Sequence, residues 1–418
     1  MKANAATPAL VEDPRVPGLL QEMMTSEQGV QEPHGYIARL HELGDVFRLP
    51  DGAWFAVGYP AVLDLVRSGQ FIKGGSDYVP PLVSDTEEQR RELASIRAGT
   101  SPFIVNLDPP DHTRLRGLVQ RSFTPRHVGQ LESLIPTVAN QLLDRLDPRK
   151  PVDIIGQFSA IFAPEMMSHL IGLPAEQRTE VARLTTIMMR GFDPGASFEV
   201  RLAGERAART QREYIERVIQ DKRLYPTDDL VSTLAAAVPA ELNEPELVAL
   251  LQVLYLGGYE TTAHMVGNGL VALLNNPDQL DLLSRDATLM RRAVDEMLRF
   301  DGAISLTKVM AGEAATLCGI PVPGGAPVIG LLAAANHDPA VFEEPERFDI
   351  KRQGPTHLAF AGGRHFCLGN HLARAELEVV FNILLRRYPA MQLLDKKPRR
   401  ISSFHQRAFE RVNVLLQP

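Results

Sequence analysis

The stretch from Asn243 to Asn275 constrains the fold more than any other part of the chain. Asn243 is a natural N-cap, Pro245 falls in the first turn where its missing N–H costs nothing, and Glu246 stands at the capping-box position. The helical pattern then runs to Asn275, just ahead of Pro277. At about 1.5 Å per residue this is a helix of roughly 45–50 Å, long enough to cross a whole domain. Its middle reads Leu256-Gly257-Gly258-Tyr259-Glu260-Thr261-Thr262-Ala263. Two glycines inside a helix cost on the order of 1 kcal/mol each, and the β-branched hydroxyls add to that. A function must offset this cost. Burial in a bilayer is not that function, because Gln252, Glu260 and His264 interrupt the apolar run.

A second stretch, Phe360 to Ala373, reads Phe-Ala-Gly-Gly-Arg-His-Phe-Cys-Leu-Gly-Asn-His-Leu-Ala. It sets Cys367 where a glycine-rich turn enters a helix with Leu368, Leu372, Ala375, Val379 and Ile383 on one stripe. Free N–H groups and the helix dipole favour a thiolate there, which suits the cysteine to metal binding. Gly362 and Gly363 permit positive φ and close approach to a flat ligand, and Gly369 keeps a side chain off that ligand's face.

This string resembles the cysteine-ligand loop of the haem-thiolate monooxygenases, the cytochrome P-450 superfamily, soluble bacterial type. The resemblance implies a mainly α fold with a smaller β-rich lobe and a long central helix over haem b. It implies Cys367 as axial ligand of the haem iron, with Phe360, Gly363, His365 and Gly369 completing the cofactor loop. The glycine-containing turn of the long helix is similar to the family's oxygen-activation motif, with Glu260 and Thr261 as acid and alcohol. Reductive activation of O2 consumes two protons in a dry pocket, so an acid that relays them and an alcohol that steadies a water are the needed groups. His264, one turn on, is read as a satisfied structural histidine.

Upstream, Asp108-Pro109-Pro110-Asp111-His112-Thr113-Arg114-Leu115-Arg116 offers Asp111 as a helix cap, with His112 and Arg116 one turn apart on one face. Two donors so placed can grip an anion, and the string is similar to the family's haem-propionate helix. Glu296 and Arg299 match its Glu-x-x-Arg, and Arg347, in Pro345-Glu346-Arg347-Phe348, is expected to complete a buried ion-pair network. A further propionate arginine common in the family is absent. Val309 stands at its place with Lys308 beside it.

Residues 1–30 lack periodicity and are expected to be a loose leader before one domain spanning 31–418. Short hairpins are expected at Val46–Val57, Leu317–Gly324 and Ile401–Leu416, the last with its tip near His405 to Ala408 reaching the pocket. Helices are expected over 129–146, 156–171, 175–190 and 198–223. Met188, Met189 and Phe192 fall where the family carries a lid. Tyr78, Val79, Leu254, Tyr255 and Ile304 are candidate pocket residues.

The 51 acidic and 44 basic residues give a formal charge of −7, which speaks against nucleic acid as a general partner. Two cysteines, Cys318 and Cys367, exclude a disulfide framework. No signal or anchor run is visible, and a cytoplasmic monomer is expected. The resemblance further implies O2 as co-substrate, an apolar small-molecule substrate, and electrons from NAD(P)H through a ferredoxin-type donor with its reductase. Arg364, Arg374, Arg114 and Arg121 are candidate contacts for that donor. A peroxide-using or non-oxygenating haem protein of the same fold is the alternative, disfavoured by the presence of Glu260 and Thr261.

Overall fold

The helix Glu244–Asn275 runs unbroken in the computed structural model, which describes residues 8–74, 85–122, 125–193 and 196–417. The capping box is in place: the Asn243 side chain accepts from the Glu246 N–H and the Glu246 carboxylate accepts from the Asn243 N–H, both at 2.9 Å. This helix is apolar nearly all round, as a helix enclosed by others must be. The helices Ala160–Ile171, Met290–Asp301, Phe198–Leu224 and Asn370–Arg387 surround it. They form one large core with Pro125–Leu143. The expected helices are present, with Ile155–Ser159 wound as a π-helix ahead of Ala160.

The β-rich lobe is built from short strands: β1 (Leu10–Val11), β2 (Val46–Arg48), β3 (Trp54–Ala56), β4 (Phe71–Ile72), β5 (Pro151–Asp153), β6 (Leu306–Ala311), β7 (Ala315–Leu317), β8 (Ile320–Val322), β9 (Pro327–Leu331), β10 (Gln392–Leu393) and β11 (Asn413–Leu415). Six of them make one sheet in the order β1-β2-β3-β9-β6-β4. The hairpins β2–β3 and β7–β8 are as expected. The C-terminal segment differs from a simple hairpin. It pairs within itself only around Arg400 and Phe409, and β11 instead joins β10 and β5. Its tip does reach inward, where Ile304 bridges Gln406 and Ser305 N–H donates to the His405 carbonyl.

The expectation of a loose leader is corrected for the described part of it. Leu10–Val11 pairs with β2, and the helix Arg15–Thr25 buries Val16, Leu19, Leu20 and Met23 against Phe47, Phe55 and Ile329. These positions follow i, i+3, i+4, i+7, an amphipathic stripe that holds the segment to the sheet. Tyr78 and Val79 lie outside the described residues. Among the described residues no helix is long and apolar enough to cross a membrane.

Candidate active site

The cysteine loop is closed by its own backbone. Cys367 N–H donates to the Phe360 carbonyl at 3.1 Å, and the Asn370 side-chain amide donates to the Cys367 carbonyl at 2.8 Å. The loop needs glycine at 363: φ is +61°, and a Cβ there would lie 2.1 Å from the Val66 carbonyl oxygen. Gly362, by contrast, is extended. The helix begins at Asn370, three residues past the cysteine. The Gly369 N–H and the charges of Arg116 and Arg374 do favour a thiolate at Cys367. Burial outweighs them and pushes the free thiol's pKa up, so the expected net preference for thiolate is reversed until a cation adjoins the sulfur. Cys318, with its thiol raised to about 11 by burial and Asp64, is structural.

His112, Arg116 and His365 are brought together. The His112 and His365 rings are 4.3 Å apart, and Arg116 donates to the Phe366 carbonyl at 2.7 Å, its charge felt by both His112 and Cys367. Asp111 opens its helix and pairs with Arg114, so it is a first-turn acid and not a cap. His365 is held down to about 3, first by burial and then by Lys73 and its cationic neighbours, and its buried Nε2 has no hydrogen-bond partner among the described residues. Lys308 turns away from this cluster and donates to the Phe192 carbonyl at 3.0 Å.

In the long helix, Thr261 Oγ1 donates to the Gly257 carbonyl at 2.7 Å. Glu260 is buried, and its carboxylate accepts from Gln406 Nε2 at 2.8 Å. Burial raises its pKa. Gln406 belongs to the C-terminal tip expected to reach the pocket, and its bond to Glu260 is what only the long-range structure discloses. A Cβ added at Gly257 or at Gly369 would meet nothing within 4 Å. Open space thus lies beside both glycines, and Leu254, Gly258, Thr261 and His264 share with Gly257 the one stripe of this part of the helix that is not buried. His264 is half-buried, its pKa lowered to about 4 by burial, and its Nδ1 has no hydrogen-bond partner among the described residues, so it is not the satisfied histidine expected. Tyr255 is fully buried in the core and does not line the pocket, whereas Ile304 and Leu254 are partly exposed. Met188 and Met189 pack with Leu256, Phe103 and Phe192 in a small core of their own.

The donor set fits a haem. One soft ligand, Cys367, stands beside space free of side chains, and basic groups including an orphaned imidazole nitrogen gather at one edge, where a porphyrin's carboxylates need cationic partners.

Behind the loop the ion-pair network exists with one member changed. Arg299 binds both Glu296 oxygens, at 2.8 and 2.9 Å, with each side chain under one-twentieth exposed. The third member is Arg352, whose Nε donates to Glu296 at 3.1 Å. Arg347 is corrected: its side chain is 58% exposed and pairs with Glu344, and only its carbonyl joins the network by accepting from Arg299 and Arg352. Arg374 is likewise not a surface contact. It is buried, bonded to Asp295 at 2.8 Å, and lies 4.6 Å over the Phe360 ring.

The cytochrome P450 family model matches residues 199–409. The chain is 37% identical over 313 residues to cytochrome P450 107B1 of Saccharopolyspora erythraea, covering 73% of this chain and 76% of that one. It is 35% identical over 370 residues to the vitamin D(3) 25-hydroxylase of Pseudonocardia autotrophica, covering 87% and 88%. The crystal structure of P450BioI with hexadec-9Z-enoic acid ligated acyl carrier protein superposes with a TM-score of 0.85 at 28% identity, covering 94% of this chain and all of that one. A helical fold crossed by one long helix, a partly buried cysteine in a glycine-shaped loop and these relatives lead to one conclusion: the chain belongs to the cytochrome P450 family, the haem-dependent monooxygenases that use O2.

Proposed function

We propose that this oxidoreductase inserts one oxygen atom into an apolar organic molecule by hydroxylation or epoxidation. The substrate class is a natural product such as a polyketide, macrolide or terpenoid, and electrons pass from NAD(P)H through a ferredoxin-type donor and its reductase. The observation that carries this reading is the helix turn at Gly257–Thr261, where a buried acid with a raised pKa adjoins an alcohol beside open space. A relative named for 25-hydroxylation of vitamin D(3) supports the reaction type and an apolar substrate.

Cys367 would hold the iron, and His112, Arg116 and His365 the haem carboxylates. When bound, the haem supplies the oxidising chemistry, with the thiolate donating electron density. The protein's own part is proton control. Glu260, buried and hydrogen bonded to Gln406, keeps a proton more readily than a solvated glutamate and can pass it inward. Thr261 spends its hydroxyl hydrogen on Gly257, which leaves its oxygen free to accept from a water. The apolar groups of the lid keep other water out.

The test is the Soret band of the reduced protein under carbon monoxide. The strongly red-shifted position that marks thiolate ligation is expected. A band at the ordinary histidine-haem position, in folded protein, refutes the assignment of Cys367.

A further inference from the structure

Lys73 follows β4, and the register that sets Phe71 opposite Ala311 and Ile72 opposite Met310 carries Lys73 to the side of Val309. Its Nζ donates to Thr307 Oγ1 at 3.1 Å and to the Lys308 carbonyl at 2.9 Å. Among the described residues it forms no salt bridge, since no carboxylate oxygen lies within 4.0 Å. Burial costs the ammonium its hydration and lowers its pKa to about 8.

The same place gathers further positive charge. Asp108 ties Lys73 to the cysteine loop, accepting the Lys73 N–H on one oxygen and standing 3.9 Å from Arg364, the neighbour of His365 in the chain, on the other. The carboxylate here is Asp108, whose Oδ2 is occupied by backbone donors while its buried Oδ1 has no hydrogen-bond partner among the described residues. Oδ2 accepts the backbone N–H groups of Lys73 and Gly74 at 2.8 and 3.2 Å, and Oδ1 lies 3.9 Å from Arg364. Lys73 and the two guanidinium groups of Arg116 and Arg364 therefore share one carboxylate beside a histidine whose buried nitrogen has no partner among the described residues. An unbalanced cluster of this kind is costly unless an anion completes it.

We propose that Lys73 donates to a carboxylate of the haem at the edge marked by His365, supplying from the neighbouring strand the cation that Val309 does not and that Lys308, turned to Phe192, cannot. This rests on the haem reading of the site above. Thr307 and the Lys308 carbonyl hold the ammonium in place and leave its third hydrogen for the ligand.

The experiment measures transfer of haem from the purified holoenzyme to excess apomyoglobin, for wild type, Lys73→Met and Lys73→Arg. Each is loaded either with iron protoporphyrin IX or with its dimethyl ester, and folding is checked by far-UV circular dichroism. Loss of native haem is expected to be about tenfold faster from Lys73→Met, the factor of one charge-assisted contact worth about 1.4 kcal/mol. Lys73→Arg should stay near wild type. With the ester, whose carboxyls carry no charge, Lys73→Met and wild type should converge. Equal rates with native haem, or the same difference with both cofactors, overturns the proposal, because the lysine then acts only on the fold. Failure of the haem reading is distinguishable, since it would appear as wild type that does not take up haem with a thiolate spectrum.

Discussion

Exchanging the two arginines behind the cysteine loop separates a buried ion pair from a surface one. Arg352 is 12% exposed in its side chain and donates to Glu296 at 3.1 Å, to the Arg347 carbonyl at 2.7 Å and to the Glu343 carbonyl at 2.5 Å. In Arg352→Ala, Glu296 keeps both bonds to Arg299 and the Asp349 N–H at 2.9 Å, so it is not left a bare buried charge. The loss is then one charge-assisted hydrogen bond plus carbonyls close enough to the surface to find water, about 2–3 kcal/mol. Glu296→Ala strands two guanidinium groups and should cost more, about 3–5 kcal/mol. Arg347→Ala removes only a solvated pair with Glu344 and keeps the carbonyl that the network uses, so its midpoint should not move. Urea denaturation followed by far-UV circular dichroism and by fluorescence of the single tryptophan, Trp54, gives the midpoints at comparable m-values. An Arg347→Ala variant as unstable as Arg352→Ala refutes the reasoning.

Thr261→Ala should uncouple electron use from product, seen as a fall in product formed per NAD(P)H consumed, while Glu260→Gln should slow turnover by about 10²–10⁴-fold; unchanged coupling and turnover remove their proton-delivery roles. Gly363→Ala should lower the haem content of purified protein, because the added Cβ meets the Val66 carbonyl at 2.1 Å in a left-handed turn; full haem loading by absorbance contradicts that. Glu376, buried with one hydrogen bond to Thr262, has its pKa raised to about 8 by burial, so the fold keeps a proton that the unfolded chain releases above its ordinary value of 4.5. Stability from this group is therefore full below pH 4.5 and falls by about 1.4 kcal/mol per pH unit up to about 8. Urea titrations should show Glu376→Gln gaining on wild type as pH rises through that window, and parallel pH profiles would count against a neutral Glu376.

What the sequence disclosed was local. The capping box at Asn243 and Glu246, the breaks around the helices, the hairpins and the cysteine loop each depend on residues within a few positions of one another. The helix Arg15–Thr25 was also legible, since Val16, Leu19, Leu20 and Met23 mark one face, but proline and acidic neighbours obscured the period. What stayed hidden depends on distant partners. Arg347 and Arg352 both follow Glu296 by about fifty positions, and which turns inward is decided by the loop that also brings Asp349 N–H to Glu296. Gln406 reaches Glu260 across 146 positions, and no spacing rule connects them.

That last contact bears on how the protein is made. Asp193, three residues past the end of the helix Ala175–Arg190, accepts from Ser403 Oγ and Phe404 N–H, and Glu260 accepts from Gln406. During synthesis the lid, the central helix and the cysteine loop all emerge before the tip that closes on them. Until it docks, Glu260 is a carboxylate in an enclosed helix with its Gln406 partner still missing, and water must fill that place. Glu260 therefore gains this partner only when residues 403–406 settle, so the last-made stretch of the site is the one that completes it.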